Sequence, residues 1–330
     1  MAERGQCWLM SYSPNVNHVI ADTAQQWHEI RSKGLGGSDI GALLGLNPYK
    51  GPYQLWLEKT GQYQAPDISE KIAIQVGNEM EDLVGRLFTK QTGIRVQRDN
   101  KTYFSKEKPY LLANIDRKTI GEKSFLECKT AGHFSGQEWK DGEVPASYLL
   151  QVQHYMNVLG FDHCYIAVVI DNHDFKWQRV KRNQELIDII EAKAKEFWEV
   201  NVKQMIAPPV DGLDGTKEAL NTVFQGLPPE AKELDHQHLT LVKDILSLRA
   251  DEKLIKATLA EKENKLREYL GTSEAETMTG RGVKVTYKDQ TSRRIDTKRI
   301  KEEEPELYDK YIKTTTTKVL RITEVKQHGE

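Results

Sequence analysis

Two carboxylates and an amine fall close together in Asn114-Ile115-Asp116, ten intervening residues, then Glu127-Cys128-Lys129. With residues 124–129 as a strand, Glu127 and Lys129 point to one face and Cys128 to the other, because side chains alternate with period two. An aspartate ending the preceding strand then places a second carboxylate beside Glu127. Two carboxylates and a backbone carbonyl are hard oxygen donors, suited to Mg²⁺ or Mn²⁺ with several waters retained. The lysine adds positive charge near a metal-bound water or a scissile phosphate, the combination that phosphodiester hydrolysis needs. The same spacing also fits a solvated hairpin with a cross-strand ion pair.

Two helical patterns bear on this constellation. Glu81 has Gly77 and Gly85 one turn to either side. Each glycine costs ~1 kcal/mol relative to alanine inside a helix, so the pair points to close approach by a strand or ligand. Tight helix–sheet packing with Glu81 as a bystander is the competing reading. Gln151 and Tyr155 are four apart and share one helix face, where an amide and a phenol could orient a nucleotide or a water. They read equally as one surface and one core residue.

The elements that must position these residues are mixed. Thr23 and Gln26 are spaced as a capping box for a helix through Arg31. After the turn Lys33-Gly-Leu-Gly-Gly37, Ser38 is a candidate N-cap for a second helix through Leu44. Apolar residues at helical spacing from Ile72 to Phe88, with Gly93 as a stop, predict a helix over about 70–92. Strands are expected at 94–98, 110–116, 124–129, 164–170 and around Phe175–Trp177, and a helix at about 146–159. This predicts an α/β fold, a mixed central sheet flanked by helices, over residues 1–205. Pro208, Pro209, Gly212 and Gly215 read as a linker to an appendage spanning 206–330. In the appendage, leucines and isoleucines from Leu241 to Leu270 suggest a long helix packed on one face. Short strands are expected at Val283–Tyr287 and Val319–Ile322. The basic cluster Arg293, Arg294, Lys298, Arg299 and Lys301 fits a solvated face at least as well as a DNA patch.

Composition narrows the function classes. Lys and Arg total 47 against 49 Asp and Glu, a net charge of −2, which argues against a protein coating nucleic acid over its whole surface. A polyanion must therefore be held in a local groove. Cys7, Cys128 and Cys164 are odd in number without CxxC spacing, which excludes a disulfide framework or Cys-rich zinc site. Nine histidines without HExxH or HxH pairing disfavour zinc hydrolysis, and Gly34-x-Gly-Gly-Ser38 lacks the lysine of a phosphate loop. With no membrane-length apolar run or signal pattern, a cytoplasmic protein is expected, in a bacterial or phage-infected cell.

Trp27-His-x-x-Arg31, Gly36-Gly-Ser38, Gly77-x-x-x-Glu81, Ile115-Asp116, Leu126-Glu-Cys-Lys129 and Gln151-Val-Gln-x-Tyr155 occur in this order. Together they resemble the lambda-exonuclease/YqaJ-type viral recombinase family of the PD-(D/E)xK nuclease superfamily, over residues of about 24–180. The resemblance implies a restriction-endonuclease-like core and a Mg²⁺-dependent (or Mn²⁺-dependent) exonuclease. Such an enzyme resects double-stranded DNA from 5′ ends and leaves 3′ single strands for an annealing protein in phage-type recombination. It also implies roles. Asp116 and Glu127 would bind metal with the Cys128 carbonyl, and Lys129 would position or activate the water. Glu81 would complete the acidic site and Gln151 would head the family's Q-x-x-x-Y helix, which Tyr155 closes. Arg31 and Ser38 would hold the terminal 5′ phosphate. Ile115 stands where the superfamily motif has proline, and a homo-oligomer is left open. The same site would serve an endonuclease or single-strand nuclease, and a non-catalytic DNA-end-binding protein is the reading from another class.

Overall fold

In the computed structural model, residues 16–228, 230–314, 320 and 322 are described. The chain forms two compact units that divide between Gln225 and Gly226. The first contains, in order, β1 (Val16–Ile20), α1 (Ala24–Ser32), α2 (Gly37–Leu43), α3 (Pro52–Lys59), α4 (Ile72–Thr92), β2 (Val96–Arg98), β3 (Lys101–Ser105), β4 (Leu112–Ala113), β5 (Arg117–Thr119) and β6 (Phe125–Ala131). There follow α5 (His133–Gly136), α6 (Ala146–Leu159), β7 (His163–Ile170), β8 (Asp174–Lys181), α7 (Gln184–Glu196) and α8 (Asp214–Val223).

Five strands form the main sheet in the order β2-β5-β6-β7-β8. β6 and β7 are parallel and the other neighbours antiparallel. A parallel pair needs a crossover, and α6 supplies it. From Cys164 to Ile170 every residue of β7 is buried, as a strand covered on both faces requires. Period two then divides the core. Phe125, Ile166 and Val168 face the same cluster as Met156 and Leu159 of α6, while Leu126, Cys128, Tyr165 and Ala167 pack with Val84 and Phe88 of α4. The expected α/β architecture, a mixed sheet between helices, is the one observed. β1, β3 and β4 form a separate three-stranded antiparallel sheet.

Several local expectations change. The strand expected over 110–116 shortens to β4; β5 starts only at Arg117, in a different sheet, and Asp116 lies in the bend between them. Thr23 Oγ1 accepts the Gln26 N–H as anticipated, but the Gln26 side chain accepts from the Asp22 N–H. Ser38 is not an N-cap: Gly36 holds that position, and the Asp39 carboxylate accepts the Gly36 N–H at 3.0 Å. Gly93 does stop α4, with φ at +76° and its N–H bonded to the Thr89 carbonyl. The first unit also runs about twenty residues past the boundary placed at 205. α8 packs on α3, with Ala219 and Thr216 buried, so the Pro- and Gly-rich stretch is a connection within that unit.

The second unit contains α9 (His236–Thr272), β9 (Thr277–Gly280), β10 (Val283–Thr286), α10 (Thr297–Glu303) and α11 (Pro305–Tyr311). β9 and β10 pair as an antiparallel hairpin. Asp235 caps α9 by accepting the His238 N–H at 2.9 Å. The expectation that α9 packs along one face is not met: among its 37 residues Leu270 is the one buried side chain. Arg299 of the basic cluster pairs with Glu303 on its own helix. Of the strand expected at 319–322, residues 319 and 321 lie outside the described residues, as does Cys7. Among the described residues no helix is long and apolar enough to cross a membrane.

Candidate active site

β6 carries Glu127 and Lys129 on its α6 side, as the alternation predicted. Glu127 is 2% exposed, and its Oε1 accepts from Lys129 Nζ at 2.7 Å and from Gln151 Nε2 at 2.6 Å. Lys129 Nζ also donates to Gln151 Oε1 at 3.2 Å and lies 4.8 Å from the centre of the Tyr148 ring. Gln151 Nε2 reaches the Tyr155 hydroxyl at 3.2 Å, so the two α6 residues form one chain leading to the strand. From its bend, Asp116 accepts the Cys128 N–H through Oδ2 at 2.7 Å. That bond ties the second carboxylate to the middle residue of Glu127-Cys128-Lys129. Glu81 approaches from α4, and with Gly77, Lys129 and Tyr148 it lines a cleft of about 260 Å³ beside the strand.

The carboxylates are under electrostatic strain. Burial and then the Asp116 charge push Glu127 up to about 8. Asp116 is raised by burial despite Lys129 and the Cys128 N–H, and Glu81 by burial and then by Asp116. Burial would lower Lys129, but Glu127 and Asp116 outweigh it and hold the ammonium above its usual range. Lys129 is therefore a charged donor, suited to orienting a nucleophile and stabilising negative charge. The Cys128 thiol is buried on the opposite face and raised by that burial, an unreactive core group.

Among the described residues no group of three His, Cys, Asp or Glu side chains is already arranged to hold a metal ion. One oxygen nevertheless fits such a role: Glu127 Oε2 is buried and has no hydrogen-bond partner. A buried carboxylate oxygen without a donor, among three carboxylates and one ammonium, is a donor set that a hard divalent cation would complete.

A second cluster surrounds Asp39, which sequence reasoning passed over. Its carboxylate is 2% exposed as a residue and is paired to Arg31 at 3.1 Å, Lys59 at 3.0 Å and Lys50 at 3.6 Å. Burial would raise Asp39, but Arg31, Lys59 and Lys50 together hold it well below the usual carboxylate range. Arg31 also donates to Ser38 Oγ at 3.2 Å. The two expected 5′-phosphate residues are thus in contact, and because Lys50 is also paired to Glu58 at 3.0 Å, the three cations and two carboxylates leave one positive charge in excess. Trp27 lies 5.8 Å from the Arg31 guanidinium and is 42% exposed. The signal available in the sequence was the Asp that follows Gly36-Gly37-Ser38; Lys50 and Lys59, on and before a helix not anticipated, carried none.

The glycines are explained by neighbours. A Cβ on Gly36 would overlap the Arg31 guanidinium, and one on Gly37 would meet Gln151 Cγ at 2.5 Å and the Tyr155 ring at 2.7 Å. Gly37 therefore lets α2 sit against the Gln151–Tyr155 face of α6, which joins the two clusters. Gly85 is needed by Arg117, whose Nε would lie 2.7 Å from its Cβ, whereas Gly77 meets nothing closer than Thr130 Oγ1 at 3.9 Å. The pair flanking Glu81 thus has two separate causes, packing at Gly85 and an open cleft wall at Gly77.

Residues 26–162 match the family model of the YqaJ-like viral recombinase domain. The chain is 36% identical over 310 residues to the "Uncharacterized protein YqaJ" of Bacillus subtilis (strain 168), an alignment covering 91% of this chain and 94% of the relative. It is also similar to the crystal structure of an alkaline exonuclease, LHK-Exo, from Laribacter hongkongensis, with 19% identity and a TM-score of 0.47. The LHK-Exo complex with dAMP gives 19% identity and a TM-score of 0.48; each match covers 56% of this chain and 94% of the other.

Proposed function

The chain belongs to the YqaJ-like viral recombinase domain family, and from that membership and the site geometry we propose that it is a divalent-metal-dependent nuclease resecting linear double-stranded DNA from 5′ ends. The product is a 3′ single strand, the substrate of an annealing protein in phage-type recombination. The observation that carries this reading is the partnerless, buried Glu127 Oε2 within a cluster of three carboxylates beside a charged lysine.

Asp116, Glu127 and the Cys128 carbonyl are the groups that would hold Mg²⁺ or Mn²⁺, with Glu81, on the wall of the adjoining cleft, the candidate for a further oxygen. Such an ion supplies a water of lowered pKa and neutralises charge on the phosphate. The chain's own residues do the rest. Lys129 remains an ammonium and donates toward the attacking water and the oxygen that gains charge as the phosphodiester breaks. Gln151 holds Lys129 and Glu127 in register through both ends of its amide, and Tyr155 fixes that amide. Arg31 and Ser38, with the surplus positive charge of Lys50 and Lys59 beneath them, form the seat for a terminal 5′ phosphate. That seat reads the end; the carboxylates cut beyond it.

Purified protein incubated with end-labelled linear, nicked and circular duplex tests this directly. Linear duplex should be consumed when Mg²⁺ is supplied and spared in chelator, and Asp116→Ala, Glu127→Ala and Lys129→Ala should each abolish digestion while the fold is retained. Wild-type turnover by any of the three removes the assignment. Cleavage of closed circles assigns endonuclease chemistry instead, and Mg²⁺-independent binding of ends without any turnover assigns an end-binding protein.

A further inference from the structure

Helix α9 spans 37 residues, about 55 Å at 1.5 Å per residue. Leu241, Leu248, Ile255, Leu259, Leu266 and Tyr269 are each between 41% and 67% exposed. Their spacing is a heptad: with Ile245 at position a, the a and d positions from Leu241 to Tyr269 are apolar except at Glu252 and Lys262. An apolar seam of this length on a free helix wants a partner.

We propose that α9 pairs with α9 of a second copy of this chain as an antiparallel coiled coil centred on Ala257. The inference does not depend on the nuclease reading. Its basis is charge complementarity. In an antiparallel pair each a position faces a d position of the other helix. Centred on Ala257, Ile255 faces Leu259, Leu248 faces Leu266 and Ile245 faces Tyr269. The same register sets the two off-pattern residues against each other, Glu252 of one copy against Lys262 of the other, twice by symmetry. The flanks agree: Asp251 comes beside Lys265 of the second copy, and Arg249 beside Glu263. One like-charge contact opposes this, Lys256 against its own copy at the dyad, and Glu252 on the same helix already pairs with Lys256. A parallel in-register pair would instead stack Glu252 on Glu252 and Lys262 on Lys262, two like-charge layers inside the seam.

Sedimentation equilibrium of the full chain tests the proposal. The wild type should sediment at twice its 37.8 kDa mass at micromolar concentrations. Glu252→Lys and Lys262→Glu, each placing like charges face to face, should weaken the dimer at least about tenfold. Combining the two should restore it, because the pair is only exchanged. Both positions are solvent-facing in the single chain, and unchanged far-UV circular dichroism confirms folding. Orientation is read separately with Lys256→Cys in a Cys7→Ser background, where Cys128 and Cys164 are buried. A short bis-maleimide should link two copies at position 256, since the antiparallel dyad brings these positions together and a parallel pair holds them on opposite flanks. A monomer at every concentration, or a dimer indifferent to both single reversals, overturns the proposal. Failure of the double exchange to restore pairing, or of position 256 to cross-link, overturns the antiparallel register.

Discussion

The two charged clusters of the first unit have opposite charge balance. The site of Glu127 gathers three carboxylates and one ammonium; around Asp39 stand three cations, one of which, Lys50, also pairs with Glu58. They meet at α6, where Gly37 packs on Gln151 and Tyr155, and the Tyr155 hydroxyl feels both Glu127 and Arg31. Their electrostatics are opposite in kind. Asp39 has a partner for every charge it could satisfy, and its carboxyl is driven down. Glu127 leaves an oxygen without a partner, and its carboxyl is driven up. One cluster is a finished structural tie with a net positive charge. The other keeps a buried carboxylate oxygen unpaired. A folded chain can hold such a site only if something nearby secures the backbone around it, and the Asp39 tie does so for the α2 end.

Removing Asp39 should therefore cost most. Asp39→Asn leaves Arg31, Lys50 and Lys59 crowded around a neutral group, and breaking a buried ion pair from one side costs about 3–5 kcal/mol. A urea midpoint close to wild type would show that water, not Asp39, neutralises these cations, and the contrast between the clusters would collapse.

How far was this visible in sequence? Period-two alternation was enough to put Glu127 and Lys129 on one face, because β6 is a buried strand whose register is fixed by its apolar residues. The helix of Glu81 and its stop at Gly93 were also legible, from spacing alone. Asp116 was identified but placed on a strand, since the apolar residues Tyr110 to Ala113 and Ile115 read as one strand despite Asn114; the break between two sheets comes from pairing partners far along the chain. Ser38 was read as a cap from local chemistry, whereas Gly36 holds the cap position and the Asp39 carboxylate reaches back to its N–H while also serving three cations drawn from α1, α3 and the turn before it. Long-range ion pairs have no period, and so Lys50 and Lys59 gave no signal. For α9 the heptad was seen and its burial misjudged: spacing reports that a seam exists but not what covers it.

The tie between the turn before α2, β4 and α6 makes the fold acid-sensitive at a second point. His154 is fully buried and donates through Nε2 to the carbonyls of Leu35 and Leu112 at 3.2 and 2.9 Å, while Nδ1 has no partner. Burial pushes its pKa down to about 4. Between the ordinary value near 6.5 and about 4, the unfolded chain takes up a proton that the folded chain refuses, so stability falls as pH falls through that window. The full loss is roughly 3 kcal/mol. The Asp39 contribution is lost only further down, below the ordinary aspartate range. Glu127, raised to about 8, contributes the opposite slope down to the ordinary glutamate range. His154 is therefore read from the difference between wild type and His154→Gln. Their urea midpoints at several pH values should converge from neutrality to 4, even though the variant starts less stable. An unchanged difference would locate the acid sensitivity elsewhere.

At the mouth of the basic cluster the effect is on recognition. Arg31 is held by Asp39 and Ser38 but retains donors, and charge-assisted contacts to a phosphate are worth ~1.5–3 kcal/mol. Arg31→Ala should slow digestion of 5′-phosphorylated ends roughly ten- to a hundredfold more than that of 5′-hydroxyl ends. Equal slowing on both ends would make Arg31 a purely structural partner of Asp39, and the basic cluster would lose its claim to the terminal phosphate.

The smallest effect has the opposite sign and separates the clusters most sharply. Glu81 is raised by burial and by Asp116, only partly relieved by Arg98, Arg117 and Lys129. A carboxyl raised in the folded state stabilises below its ordinary range and opposes folding as pH climbs through and above its folded value. Replacing Glu81 with glutamine in chelator near neutral pH therefore removes a repulsion. Because the side chain is partly open to the cleft, the gain is discounted to less than about 1 kcal/mol. Glu81→Gln should accordingly melt at or slightly above wild type in chelator, whereas Asp39→Asn melts well below it. Adding Mg²⁺ should then favour the wild type more than the variant, since the variant offers one carboxylate fewer. A Glu81→Gln protein that is less stable in chelator, by as much as a lost ion pair, would show that the acidic cluster is already balanced without a cation.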